Sequence, residues 1–317
     1  MRKFLTKIQK TLKPSRRWQV MNTAFQWKTP CIAILLLATL TTGTLAHSPT
    51  PPEDLNDTEV FFRREKEAHV PIIMYHLVTE NSRYVGKFGI RPSELKSDLE
   101  YLKKNGYNTV VMQDLIDFVY KGKRLPKNPI VLTFDDGNSS DFTYLYPLLK
   151  EYDMKAVASI IGKAIDENTE DYAKYPSGKF PNLTWPQAKV LHDSGLIEIQ
   201  SHGYNVHGPA GSGKLKRESA DAYHQRLKAD LTKLQDLCEE HLGTRPNTFC
   251  YPLGVISKGS QAVLEEMGFL ASLSCQEGMN IITQGEHECL FRLKRSNRSS
   301  GKSIERILDG IKKKSEK

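Results

Sequence analysis

One stretch of the chain reads Ile130-Val131-Leu132-Thr133-Phe134-Asp135-Asp136-Gly137. The apolar run follows Pro129 and closes at Gly137, which predicts a buried strand that ends at two adjacent carboxylates. Neighbouring carboxylates repel each other and resist joint burial, so a cation is expected beside them. One carboxylate would bind a divalent metal and the other would act as a base. The alternative is a solvated Asp-Asp-Gly turn, and this stretch alone does not separate the two interpretations.

A second polar segment follows another predicted strand. Residues 196–200 alternate as a strand does and lead into Ser-His-Gly-Tyr-Asn-Val-His-Gly, which contains His202 and His207. Two side chains five residues apart do not share a helix face, but an irregular loop can bring both to one ion. With Asp136 they would supply three ligands and leave one position for water, as in catalytic zinc sites. Zinc is therefore the predicted metal, and two unrelated surface imidazoles are the alternative.

Strand-like and helix-like segments alternate along the rest of the chain. This alternation predicts an α/β fold with a parallel sheet and right-handed crossovers, and about seven or eight units indicate a closed barrel. Several polar residues fall at or just past the carboxyl ends of the predicted strands, where such barrels carry their active sites. They are His76, Asp135, Asp136, His202, Tyr251 and Arg295.

Three motifs together resemble the polysaccharide deacetylases of carbohydrate esterase family 4, the NodB-homology group. The motifs are Thr133–Gly137, the pair His202 and His207, and Phe249–Gly254. In addition, Val70–His76 is similar to the first strand of the poly-β-1,6-N-acetylglucosamine deacetylases of biofilm formation, where the five-residue His spacing also occurs. The resemblance runs from about Val70 to the C-terminus and implies a distorted (β/α) barrel of about seven strands, with the site at the carboxyl ends of the strands.

The resemblance also implies roles for the matching residues. Asp135 would be the general base, and Tyr251 would lie in the segment that supplies a backbone donor to the oxyanion. Tyr204 and Arg295 are predicted to contact the substrate. The implied metal ligands are Asp136, His202 and His207.

The chain departs from the family pattern at three places. Gly203 follows the first His, where Ser or Thr is usual. Cys250 and Leu253 replace commoner residues around Tyr-Pro. The C-terminal Leu-x-His that carries the general acid in many members is absent, since Leu293-Lys294-Arg295 contains no His. His76 ends the first strand and is the predicted acid, because an imidazole beside a carboxylate can hold a proton near neutral pH. The alternative is that His76 only forms hydrogen bonds at the top of the barrel.

The predicted function is metal-dependent N-deacetylation of an extracellular N-acetylglucosamine polymer, with poly-β-1,6-N-acetylglucosamine as the expected substrate. A peptidoglycan N-deacetylase and an acetyl-xylan esterase are alternatives that share the site chemistry. An inactive carbohydrate-binding relative is the alternative from another class, and the complete set of Asp and His residues argues against it. The expected partner is an N-acetylated polysaccharide, and the protein is expected to be a monomer.

The charge of the chain is concentrated at its N-terminus. The formal net charge is +8, and residues 1–30 contain eight basic residues and no acidic one, so the remainder is neutral and a nucleic-acid partner is not expected. An apolar segment follows, so residues 1–46 are predicted to be a basic leader with a signal peptide or signal anchor. This places the rest outside the cytoplasm, secreted or held at the membrane or cell wall. Residues 47–69 are a predicted Pro-rich linker, and 70–317 form the predicted deacetylase domain.

The five cysteines are too few for a disulfide scaffold. Cys275 and Cys289 flank a loop between two predicted strands. Unpaired thiols are predicted for both, and a bridge between them is the alternative.

Overall fold

The structure is a computed structural model that describes residues 66–174 and 181–315. The predicted leader, residues 1–46, and the predicted linker as far as residue 65 lie outside the described residues. Across the two described ranges, no helix combines the length and the hydrophobicity that crossing a membrane requires.

Twelve strands lie in the described ranges. They are β1 (Glu67–Val70), β2 (Ile72–Tyr75), β3 (Leu77–Val78), β4 (Gly89–Ile90), β5 (Asn108–Thr109), β6 (Pro129–Asp136), β7 (Ala156–Ile160), β8 (Ile197–Ser201), β9 (Thr248–Cys250), β10 (Ala271–Leu273), β11 (Asn280–Thr283) and β12 (Ser296–Asn297).

Eight α-helices are described between and after these strands. They are α1 (Pro92–Lys104), α2 (Met112–Lys121), α3 (Tyr146–Tyr152), α4 (Gly162–Lys174), α5 (Trp185–Asp193), α6 (Ala220–Leu242), α7 (Ser260–Glu266) and α8 (Ile304–Ser315). A π-helical turn, Asp141–Leu145, leads into α3. The predicted capping box of α5 is confirmed: the Gln187 N–H donates to Thr184 Oγ1, and the Thr184 N–H donates to Gln187 Oε1.

A parallel sheet curls in the order β10-β9-β8-β7-β6-β2-β12, and β5 pairs with β6. The segment Leu293–Arg298 joins its two edges. On one side the Leu293 N–H donates to the carbonyl of Ser272 on β10 (2.8 Å), and on the other the Arg298 N–H donates to the carbonyl of Met74 on β2 (2.9 Å). The predicted distorted α/β barrel of about seven strands is confirmed.

The two faces of β6 pack into different apolar cores, and the same alternation determines which way the site residues of this strand point. On β6, Leu132 and Phe134 belong to the core between the sheet and the helices, whereas Val131 belongs to the core inside the barrel. Because successive side chains on a strand point to opposite faces, Thr133 and Asp135 point inwards with Val131. The inward face of β6 thus carries Asp135 to the upper end of the barrel.

The first strand starts earlier than the predicted domain boundary. β1 pairs antiparallel with β11, with Glu67 opposite Thr283 and Val70 opposite Asn280. Residues 67–69, assigned to the linker from composition, are therefore part of a two-stranded sheet. The error arose because Glu, Ala and His give no strand signal without their partner strand.

Candidate active site

A strained turn separates the two adjacent carboxylates at the end of β6. Asp136 has a positive φ of 77°, which is unusual for a residue with a side chain, and Gly137 follows with φ 67°. A Cβ on Gly137 would lie 3.1 Å from Ile160 Cγ2, so the site favours glycine. The Asp136 carbonyl accepts a hydrogen bond from Asn182 Nδ2 (3.1 Å). The turn directs Asp135 and Asp136 into different surroundings.

The His loop continues directly from β8. The His202 N–H donates to the carbonyl of Ile160 (2.9 Å), which extends the strand pairing by one residue. The chain then turns at Gly203 (φ 83°), where a Cβ would lie 2.3 Å from Val206 Cγ2. This contact explains why glycine replaces the usual Ser or Thr after the first His.

Asp230 on α6 holds the same loop from outside the barrel. Its carboxylate accepts hydrogen bonds from the N–H groups of Tyr204 (2.7 Å) and Asn205 (2.8 Å). Sequence reasoning missed this residue because nothing in the periodicity of a long helix marks one carboxylate as a loop anchor.

The three predicted metal ligands converge. Asp136 Oδ1 lies 3.6 Å from His202 Nε2 and 3.3 Å from His207 Nε2. One ligand atom from each residue falls within 4.8 Å of the others. Asp136 Oδ1 is buried and has no hydrogen-bond partner, although buried carboxylate oxygens normally have one. An oxygen left without a donor between two imidazole nitrogens fits a divalent cation.

The orientation of His202 supports this assignment. Its Nδ1 lies 2.8 Å from the carbonyl oxygen of Cys250, an acceptor, so Nδ1 must carry the proton. Nε2 is then the nitrogen with a free lone pair, and it faces Asp136. Burial lowers the pKa of His202, while Asp135 and Asp136 oppose that effect. The net effect favours the neutral imidazole that binds metals.

Asp135 forms a buried ion pair, and its carboxylate also lies within 4.8 Å of a ring nitrogen of His202 and of Cys250 Sγ. Its Oδ1 and Oδ2 accept hydrogen bonds from Arg295 Nη1 (2.7 Å) and Nη2 (2.9 Å). Burial opposes ionisation of this carboxyl, but Arg295, aided by His202 and His76, holds its pKa well below the usual range. Asp135 is therefore an ionised carboxylate at neutral pH, which is the state a general base needs.

His76 lies where the prediction placed it, beside Asp135. Its Nε2 is 3.9 Å from Asp135 Oδ2, and its ring packs against Phe88 with 4.8 Å between centroids. The Nδ1 atom is buried and has no hydrogen-bond partner. Hydrogen bonding at the barrel top, the alternative role, is thus not observed for Nδ1. The role of His76 as general acid stays a prediction.

The structure corrects one of the two predicted substrate contacts. Arg295 is fully buried beneath Asp135, so its contact is with that carboxylate and not with the cleft surface. The error comes from placing the side chain by its position at a strand end, which does not determine which way it points. The Tyr204 ring lies 3.7 Å from Lys233 Nζ, and its contact with the substrate stays a prediction.

The segment predicted to supply the oxyanion donor, Phe249–Gly254, contains one backbone N–H that is already bonded and one residue that borders the cleft. Tyr251 donates its N–H to the carbonyl of Leu273 (3.0 Å), and its buried hydroxyl pairs with Ser260 Oγ. Its N–H is therefore already used. Leu253 is the residue of this segment that borders the cleft, with a positive φ of 57°.

An open cleft of about 970 Å³ lies over these groups. Sequence reasoning missed several of its walls, because they come from irregular segments that have no periodic pattern. The walls missed were Arg83, Tyr84, Lys87, Phe88, Cys275 and Glu277. The chain also has unpaired thiols at Cys275 and Cys289, as predicted.

Gly208–Lys214, which follows His207, is tied to the neighbouring loop. Ser212 Oγ donates to the carbonyl of Val255 (3.1 Å), and the Lys214 N–H donates to Ser257 Oγ (2.9 Å). These bonds hold the segment against its neighbour.

The chain is similar in sequence to known proteins that carry related names. A family model described as polysaccharide deacetylase matches residues 122–272. A poly-beta-1,6-N-acetyl-D-glucosamine N-deacetylase of Escherichia coli (strain K12) is 25% identical over 227 residues, covering 65% of this chain and 34% of that protein. A protein of the same name from Staphylococcus aureus (strain MSSA476) is 22% identical over 198 residues, covering 62% of this chain and 64% of that protein.

A solved structure supports the same grouping. A de-N-acetylase from Aggregatibacter actinomycetemcomitans superposes with a TM-score of 0.64 at 26% identity, covering 76% of this chain and 99% of that one.

The chain spans about a third of the length of the E. coli relative.

Proposed function

We propose that the chain, which carries a polysaccharide deacetylase domain at residues 122–272, is a metal-dependent N-deacetylase of an N-acetylglucosamine polymer. The motifs and the family model that matches residues 122–272 point to the same family, which supports a hydrolase that acts on carbon–nitrogen bonds other than peptide bonds. Poly-β-1,6-N-acetylglucosamine is the proposed substrate, since relatives from two organisms carry that name. The observation that carries the proposal is the meeting of an ionised base, Asp135, with an Asp-His-His cation site in one cleft.

The cation site is proposed to hold zinc. Asp136, His202 and His207 would bind it, and the ion would polarise the acetyl carbonyl and acidify a water molecule. In the net reaction the water oxygen bonds to the acetyl carbon, the carbon–nitrogen bond breaks, and acetate and a glucosamine unit form.

The chain's own residues move the protons. Asp135 takes a proton from the attacking water, and Arg295 keeps it ionised until that moment. His76 delivers a proton to the nitrogen that leaves. The Leu253 N–H is the proposed donor to the oxyanion, because it belongs to the cleft-lining residue of the segment.

The cellular setting is part of the proposal. The basic leader and apolar segment in residues 1–46 would direct the domain across the membrane and either be removed or stay as an anchor. The domain would then meet its polymer outside the cytoplasm as a single copy.

Acetate release from three polymers, measured side by side, tests the substrate. We expect the fastest release from poly-β-1,6-N-acetylglucosamine and loss of release when a chelator removes the metal. Faster release from peptidoglycan or acetyl-xylan would reassign the enzyme to that polymer. Binding of a polymer without acetate release from any of the three, with metal supplied, would favour an inactive carbohydrate-binding protein.

A further inference from the structure

One wall of the cleft is formed by residues 83–88, between β3 and β4, and is called the basic wall here. It is fixed to the barrel: the Ser300 N–H donates to the Gly86 carbonyl (2.9 Å), and Asn297 Nδ2 donates to the Lys87 carbonyl (2.7 Å). Gly89 closes its turn, since a Cβ there would lie 2.0 Å from the Tyr84 carbonyl oxygen. The wall is thus in place before a polymer binds.

The basic wall presents apolar rings beside the catalytic groups. Tyr84 and Phe88 are 58% and 48% exposed, high values for large aromatic side chains. The Phe88 ring also contacts His76. Exposed aromatic surface at the edge of a cleft marks a binding surface, and a flat ring suits the apolar face of a sugar. A sugar unit next to the one cleaved would therefore lie against this wall.

The same wall carries positive charge. Arg83 and Lys87 are exposed, and among the described residues neither has a carboxylate within ion-pair distance. The Lys87 ammonium lies 4.9 Å from the centroid of the Phe88 ring, so its charge sits beside the aromatic surface.

The acidic residues of the cleft do not offset this charge. Asp135 is paired with Arg295, and Asp136 faces the two imidazoles of the cation site. Glu277 forms an ion pair with Lys314 at 2.8 Å. A cationic group bound along the wall would meet Arg83 and Lys87 without a free carboxylate to compensate.

We propose that the basic wall discriminates the acetylation state of the sugar beside the one cleaved, accepting N-acetylglucosamine and disfavouring glucosamine. The inference rests on the proposed function, because deacetylation converts a neutral amide into an ammonium group. Each product unit would then be repelled from the wall. The enzyme would act fastest on fully acetylated stretches and leave deacetylated units spaced along the polymer.

The test compares a fully acetylated β-1,6-linked pentamer with pentamers that are half deacetylated, by acetate released per remaining acetyl group. The parent enzyme should prefer the fully acetylated pentamer by about three- to tenfold at low salt, the size expected of two partly screened charges. The Arg83→Gln/Lys87→Gln variant should bring this ratio close to one, and so should high salt. The control Lys127→Gln/Lys155→Gln removes two charges just before β6 and β7, at the opposite end of the barrel, and should keep the parent's ratio.

Equal rates for both pentamers in the parent would overturn the proposal, as would a ratio that Arg83→Gln/Lys87→Gln leaves unchanged. Measuring the affinity of the metal-depleted protein for each pentamer distinguishes failure of this proposal about the basic wall from failure of the proposed function. If neither pentamer releases acetate, the proposed function fails, and binding decides the role of the wall. Tighter binding of the acetylated pentamer by the parent, lost in the double variant, would support the proposed role of the wall. Equal affinities for the two pentamers would overturn it.

Discussion

Asp135 and Glu198 place carboxylates at opposite ends of the barrel interior, and their surroundings differ. Asp135, at the upper end, is compensated by the guanidinium of Arg295. Glu198, at the lower end of β8, is held by neutral donors: the Gln113 N–H lies 3.0 Å from Oε2 and Gln200 Nε2 lies 2.7 Å from Oε1. Burial opposes ionisation of both, but only Arg295 overcomes it, so the pKa of Asp135 falls while that of Glu198 rises to about 7.

This difference in surroundings gives the two carboxylates different roles, one in the reaction and one in holding the barrel together. The upper carboxylate stays charged and borders the cleft, so it can accept a proton. The lower one belongs to a network in which Gln200 Oε1 accepts from the Thr248 N–H (2.9 Å) and Asn247 Nδ2 donates to Gln113 Oε1 (2.8 Å). That network ties β8 and β9 to the start of α2. Of these two carboxylates, the one that stays fully ionised at neutral pH is the one accompanied by a counter-charge.

The largest effect on activity should come from His207→Ala, which removes a proposed metal ligand but leaves Asp135 and Glu198 in place. We expect loss of stoichiometric metal and of acetate release, because a three-ligand site has no spare protein donor. Metal content by elemental analysis is the measurement, and His224→Ala, an imidazole paired with Glu266 outside the cleft, is the control. Full metal content in His207→Ala would show that the ligand set is wrong.

Asp135→Asn tests the upper carboxylate directly. It should keep the metal and lose about two to four orders of magnitude in rate, the usual contribution of a general base. It also leaves Arg295 buried without a counter-charge, so unfolding should be checked and rates measured well below the melting temperature. Loss of metal together with activity would move Asp135 into the ligand set.

The upper end of the barrel was partly predictable from sequence. Asp136, His202 and His207 follow strands whose apolar patterns are clear, and parallel strands bring their carboxyl ends to one edge. The ion pair of Arg295 with Asp135 was not predictable, because it depends on the irregular segment Leu293–Arg298 that closes the barrel.

The walls of the cleft and the lower network were harder still to predict. Phe88 lies in a segment with no period, so no pattern relates it to the site. Glu198 was simply the polar member of an alternating strand, and a polar residue in that pattern normally faces solvent. Only the closed barrel turns that position inwards.

His76→Ala should have a smaller effect than loss of Asp135, because water can replace a proton donor in part. We expect the metal to stay bound, most of the turnover to be lost, and the alkaline limb of the pH–rate profile to flatten. Phe88→Leu, which alters the ring packed on His76 but keeps the imidazole, is a matched comparison and should retain the limb. An alkaline limb identical in His76→Ala and the parent would exclude His76 as the donor.

The smallest effect should come from Glu198→Gln, and it should appear in stability instead of rate. Because its pKa rises from 4.5 to about 7 on folding, the folded protein holds this proton more tightly than the unfolded chain does. The contribution of Glu198 to stability is therefore full below pH 4.5 and is lost as the pH rises through about 7. The loss is at most roughly 3–4 kcal/mol, and partial exposure of the side chain reduces it.

The measurement is the free energy of unfolding by urea of the metal-free protein between pH 4.5 and 8, a range chosen to span the two pKa values. In Glu198→Gln this part of the pH dependence should disappear, so the free energy of unfolding of the variant should rise relative to that of the parent as the pH increases. Acetate release by the metal-loaded variant should stay near the parent's. Glu305→Gln, an exposed glutamate on α8, is the control and should follow the parent's curve. If the Glu198→Gln and parent curves run parallel, the lower carboxylate does not titrate in this range. The contrast between the two ends of the barrel would then reduce to the presence of Arg295 alone.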